Sequence, residues 1–260
     1  MKIKKILLLL FAASTLVACS KSKADKRNAI NKLQKSEAMG TTEGLNQLAI
    51  LHKEYGMSYD DAEGNNYLYA AAQYYFYEKE FDEAKPLLAA YINRDDSTEQ
   101  FRNAALNLAV LFANKADFSS ADDLISAVLE KGLPSAAQWQ DIIKLYENKI
   151  ATKADLEPHD YERLSLAYTA ANRFSEATAS LQTAIHDFPA YEKRANLMYR
   201  AGFVCWEYAK DTKAAKVFYE AFLAEYPNDP RTEEVKIILS AGMLKMSDEA
   251  IIEMLKGETK

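Results

Sequence analysis

Residues 161–189 read YERLSLAYTAANRFSEATASLQTAIHDFP, and their spacing decides the fold class. Tyr161, Leu164, Ser165 and Tyr168 recur at three- and four-residue intervals, the period of one face of an α-helix. Phe174, Ala177, Leu181 and Ala184 repeat that period after a polar break, and Pro189 ends the unit because proline cannot continue a helix. The stretch therefore predicts two short antiparallel helices packed through these stripes. Composition extends the same reading to the whole chain. With only 8 Gly and 6 Pro in 260 residues, and little apolar–polar alternation, helix formers dominate and an all-α fold is expected.

The same paired stripes recur on either side. In residues 66–96, Leu68, Ala71, Ala72 and Tyr75 form one and Phe81, Ala84, Leu88 and Tyr91 the other. Next come Ala105, Leu108, Ala109 and Phe112, then Phe118, Ala121, Ile125 and Val128, ending near Pro134. A last pair follows residues 161–189, with Met198, Ala201, Gly202 and Cys205, then Ala215, Tyr219, Phe222 and Pro227; its turn at 210–212 is one residue longer than the pattern. Large apolar, small, aromatic and terminal Pro residues at these intervals resemble the tetratricopeptide repeat, over about residues 66–227. The resemblance implies a solenoid of antiparallel helix pairs. Small residues such as Ala72, Ala84, Ala109 and Ala121 let paired helices approach closely.

One interval breaks the pattern. Trp139 lies 34 residues after Ala105, the family period, and with Ile142, Ile143 and Tyr146 starts another first helix. Its second helix is missing, since residues 151–158 are short and polar and Tyr161 arrives only 22 residues after Trp139. An irregular joint is expected at 151–158, dividing an N-terminal lobe (43–150) from a C-terminal lobe (151–260) capped by helices near 232–244 and 247–255. An entry helix is expected over 43–55, with Gly56 placed to end it.

The leader, MKIKKILLLLFAASTLVAC, has a basic start and an apolar run too short to span a membrane, the pattern of a secretory signal over residues 1–18. Residues 16–19 resemble the lipobox of bacterial lipoproteins, which implies cleavage before Cys19 and lipidation of that cysteine. Ser20 and Lys21 follow without an inner-membrane-retaining Asp, so attachment to the outer membrane facing the periplasm is expected. Residues 19–42 read as a tether leading into a helix around Ile30 and Leu33. Cys205, the only cysteine after Cys19, reads as a buried thiol without a disulfide partner.

Setting aside Lys2, Lys4 and Lys5 of the leader takes the formal charge from −6 to −9, which argues against a nucleic-acid partner. There is no phosphate loop, nucleophile elbow or metal-spaced Cys/His cluster, so neither catalysis nor a cofactor or metal is expected. His52, His159 and His186 are dispersed. In the repeat family the free faces of the first helices line a concave groove for a peptide or protein. The matching positions here are Asn66, Tyr69, Gln73, Phe76 and Tyr77 in the first repeat, and Asn103, with Leu106 and Val110, in the second. In the last they are Asn196, Tyr199, Phe203, Trp206 and Glu207. Aromatic bodies beside amides suit a partner with apolar side chains and an exposed backbone; the same aromatics would equally serve as packing between repeats. The expectation is a membrane-anchored scaffold for another envelope protein or peptide. The alternative is a ligand-binding lipoprotein that captures a glycan or peptide.

Overall fold

The computed structural model describes residues 21–94, 98–153 and 155–258. The expected signal peptide and Cys19 lie outside them. The described residues are all-α, with thirteen α-helices in chain order: α1 (Lys23–Gln34), α2 (Thr42–Ser58), α3 (Ala62–Tyr77), α4 (Phe81–Ile92), α5 (Glu99–Ala113), α6 (Phe118–Glu130), α7 (Ala136–Thr152), α8 (Pro158–Ala170), α9 (Phe174–Asp187), α10 (Arg194–Phe203), α11 (Thr212–Glu225), α12 (Thr232–Ser240) and α13 (Asp248–Glu258). No helix among the described residues is long and apolar enough to cross a membrane.

The chain divides into two compact units, one up to Asn107 and one from Leu108, the boundary falling within the residues of α5. In the first, α1 packs on α2, α2 on α3 and α3 on α4; in the second, the run from α7 to α12 packs likewise, each helix on the next. Within each unit this is the sequential packing of a helical solenoid. The predicted stripes supply the contacts. Leu68, Ala72, Ala84, Ala109, Ala121, Ile125, Ala177, Leu181, Ala201, Ala215, Tyr219 and Phe222 are all fully buried.

Four turns share one design. Lys79, Ala116, Asn172 and Lys210 each adopt positive φ (53° to 63°), and each lies two residues before the second helix of its pair. The following amide reaches back to a carbonyl near the end of the first helix: Glu80 to Tyr75 (2.8 Å), Asp117 to Phe112 (3.0 Å) and Arg173 to Tyr168 (2.8 Å). This is the hydrogen bond of a helix-ending Schellman turn, in which glycine is the usual left-handed residue. In the last pair, the Asp211 amide reaches Cys205 (2.8 Å), one residue further back. The extra residue noted at 210–212 is taken up there as a single π-helical turn over Val204–Tyr208.

Helix starts follow from short polar side chains. Thr41, Asp61 and Asp117 accept from the amides of Gly44, Gly64 and Ser120, and Ser22 and Ser135 form capping boxes with Asp25 and Gln138. Two local expectations need correction. Gly56 does not end its helix: α2 continues to Ser58, and a Cβ on Gly56 would lie 2.6 Å from the Leu68 backbone, so glycine is there to bring α2 against α3. Phe81 is not core, being more than a third exposed. Within the segment read as a tether, α1 is a packed helix with Ile30 fully buried. The irregular joint is present, since α7 persists to Thr152, Lys153 turns left-handed and α8 begins only at Pro158. It lies inside the second unit.

Candidate functional site

In the first unit the predicted face is partly consumed by its own hydrogen bonding. The Asn103 amide donates to the Tyr69 hydroxyl (3.3 Å), and the Asn107 amide to the Gln73 side-chain carbonyl (2.9 Å). Both rungs join residues 34 apart, tying the face of α3 to the first and middle turns of α5. Tyr69 also packs its ring on Tyr91 at 5.1 Å. What remains open is Asn66, which is exposed, and an aromatic corner. There Phe76 packs edge-on to Tyr77 and against Phe81, and Tyr77 is 71% exposed.

In the second unit, the residues predicted for the last repeat divide. Tyr199 is committed inward: its hydroxyl donates to Glu234 (2.8 Å), and the Arg231 guanidinium lies 5.1 Å from its ring. Burial, then the Glu234 hydrogen bond, push its pKa up to about 12. Trp206, half-buried on the π turn, packs on the cluster of Met198, Cys205, Tyr219 and Phe222. Asn196 and Glu207 are half-buried. Phe203 is the open one, 36% exposed and edge-on to Tyr208, which is 46% exposed and stacks on Phe174 at 5.5 Å. Cys205 is buried, with its thiol pKa raised by burial. Beside it, Gly202 leaves room for Tyr219, whose ring would lie 2.6 Å from an added Cβ.

A cluster of charged groups lies at the joint. A cavity of about 310 Å³ is lined by the turn before α6 (Asp117), by α6 itself (Phe118, Asp122, Asp123), by Lys149 of α7, and by Asp155, Glu157 and His159. At its wall Lys149 and Asp160 form a buried ion pair at 2.6 Å. The other Asp160 oxygen accepts the Glu157 amide (2.8 Å), capping α8. Asp122 accepts from the Tyr146 hydroxyl and lies 3.5 Å from the Arg163 guanidinium. Between the carboxylates sits His159, its Nε2 3.4 Å from Asp122 and 3.6 Å from Asp160, its Nδ1 3.0 Å from Glu157.

The electrostatics follow from that geometry. Burial opposes ionisation of Asp122, but the hydrogen bonds from His159 and Tyr146 and the Arg163 charge outweigh it, and its pKa is lowered to about 2. The His159 pKa is raised, chiefly by its hydrogen bond with Asp122. Asp122, His159 and Asp160 could together ligate a metal, with ligand atoms within 4.8 Å of one another. Lys149 and Arg163 already neutralise both carboxylates, however, so a metal would have to share their oxygens with two cations. The arrangement is that of an ion-paired clamp holding α6, α7 and α8 together at the irregular connection between α7 and α8. Sequence spacing did not reveal it, because its members come from three helices up to 41 residues apart and only the fold gathers them.

No protein-family model matches the chain, and no curated protein matches it either.

Proposed function

We propose that the chain is a membrane-anchored scaffold of tetratricopeptide-repeat type that binds another protein or peptide of the bacterial envelope. It would be tethered through lipidated Cys19, at the outer membrane facing the periplasm. The single observation carrying the binding role is the aromatic corner of Phe76, Tyr77 and Phe81, because an aromatic cluster open to solvent is the composition of a protein-recognition surface rather than of an inert one. The i to i+34 rungs support the repeat reading, since their spacing equals the family period. Phe203 and Tyr208 offer a comparable surface in the second unit.

The test is cross-linking in native membranes, followed by Tyr77→Ala and Phe203→Ala separately and together. A stoichiometric protein cross-link weakened about tenfold or more by either change, with helicity intact, is the expected result, since exposed aromatic anchors contribute about 1–2 kcal/mol or more when they are central to an interface. A cross-linked partner indifferent to both changes would remove the face assignment. A chain recovered without acyl mass at Cys19 would remove the anchor.

A further inference from the structure

A groove between α1 and α2 in the first unit has the chemistry of a lipid site. Its volume is about 330 Å³, and Ala29 and Leu33 of α1 and Leu51 of α2 form an apolar floor, with Gln47 and Ser36 beside it and Lys21 and Lys32 at its edges. Residues 21–36 carry six cations against one carboxylate, Asp25, in a chain whose formal net charge is −6. Half of these cations are committed to the fold: Lys23 pairs with Asp61, Arg27 with Glu63, and Lys26 donates to Ser58 (2.8 Å). Lys21, Lys32 and Lys35 make no ion pair among the described residues, and Lys21 acts on Asp25 only at a distance. The cations left over are thus the pair edging the apolar floor and a third exposed one a turn further on.

An apolar trough edged by uncommitted ammonium groups complements a molecule with a hydrocarbon chain and an anionic head. We infer that the α1–α2 groove binds one anionic phospholipid, its phosphate on Lys21 and Lys32 and part of one acyl chain on Ala29, Leu33 and Leu51. A soluble acidic peptide would satisfy the lysines but not the floor. A neutral lipid would satisfy the floor but leave two ammonium groups facing a zwitterion. Lys21 lies two residues after Cys19, so a chain anchored at that cysteine holds the groove within about 7 Å of contour length from the bilayer surface. That proximity rests on the anchored reading; the groove and its charges do not. Basic segments beside a membrane anchor commonly provide the second attachment that a single lipid signal needs.

The test is native mass spectrometry of the full chain in detergent, titrated with phosphatidylglycerol or phosphatidylcholine of the same acyl composition. Acylation at Cys19 is read separately from the intact mass, so failure of the anchor and failure of the groove are distinguishable. The expected result is one retained phosphatidylglycerol, bound about twenty-fivefold more tightly than phosphatidylcholine, at about fivefold for each lysine near the headgroup. Lys21→Gln with Lys32→Gln should bring the two lipids to equal affinity. Leu51→Asn, with helicity unchanged, should weaken both. Equal affinities in the unaltered chain would overturn the inference, and so would phosphatidylglycerol binding that survives Leu51→Asn undiminished.

Discussion

Replacing Lys149 with methionine should be among the most damaging single changes in the second unit, and replacing its partner as well should repair much of the damage. The ammonium lies 2.6 Å from Asp160, and the two side chains are 8% and 0% exposed. At an effective dielectric of about 20 their attraction is about 6 kcal/mol, which the several kcal/mol needed to strip water from each ion largely offsets. The intact pair therefore contributes little net stability, while either charge left alone keeps its desolvation cost. Breaking buried pairs costs about 3–5 kcal/mol. Lys149→Met should fall at the low end, about 3 kcal/mol, because Asp160 keeps the Glu157 amide and has His159 at 3.6 Å. Lys149→Met with Asp160→Asn should lie within about 1–2 kcal/mol of the unaltered protein, a coupling well beyond additivity. Urea denaturation followed by tryptophan fluorescence reads this unit alone, since Trp139 and Trp206 both lie after Leu108. A loss under 1 kcal/mol for Lys149→Met, or strictly additive losses in the double variant, would refute the reasoning.

The same fluorescence signal should expose His159. Its folded pKa is raised above the ordinary 6.5, so the stability it contributes is complete below 6.5 and is lost as pH rises through the folded value. The advantage of the unaltered protein over His159→Gln should thus be larger near pH 5.5 than near pH 9, and an advantage that grows with pH would contradict the clamp. His52 acts with opposite sign in the first unit: burial lowers its pKa to about 4, so stability there should fall as pH drops from 6.5 toward 4, a fall that His52→Gln should remove. Lys79, Ala116 and Lys210 occupy left-handed positions that cost a residue with a Cβ about 1 kcal/mol or more. Ala116→Gly should consequently raise stability by about 0.5–1 kcal/mol, and a lowered melting temperature would show that the turn is not strained.

Fold class and core were legible because both rest on period. Tyr161, Leu164, Ser165 and Tyr168 recur at helical intervals, and all four are buried. The irregularity between α7 and α8 was legible as a shortened interval between Trp139 and Tyr161, and the long final turn as one residue in excess. What sequence could not say was how backbone geometry would absorb these irregularities. Gly56 looks like a helix stop because glycine commonly is one; only the approach of Leu68 shows that the missing Cβ serves contact instead. Residues 23–34 read as the end of a tether around a helix at Ile30 and Leu33, yet they pack: Ile30 is fully buried and the cations Lys23 and Arg27 find Asp61 and Glu63 at the start of α3. The candidate face was legible only as a set of positions. Whether Tyr69, Tyr199 and Trp206 turn to solvent or into neighbouring packing depends on contacts between helices, and all three are drawn inward while Tyr77 and Phe203 stay open.

The paired amide rungs between α3 and α5 carry a consequence for assembly order. A chain of sequentially packed helices with similar stripes runs the risk that one helix pair docks on the wrong neighbour, since stripes of Ala, Leu and aromatic residues are almost interchangeable. Apolar contact scarcely tells the copies apart. The rungs do: Asn107 has a mate in Gln73, and Asn103 in Tyr69, only when these two segments are adjacent and in step. At the corresponding first-helix positions of the last repeat stand Tyr199 and Phe203, and Phe203 has no oxygen to accept the Asn107 amide. A misdocked copy would leave the half-buried Asn107 amide without its protein acceptor, forfeiting about 1 kcal/mol of hydrogen bonding. The ladder thus works as a key, adding a register-specific contact that the interchangeable apolar stripes lack.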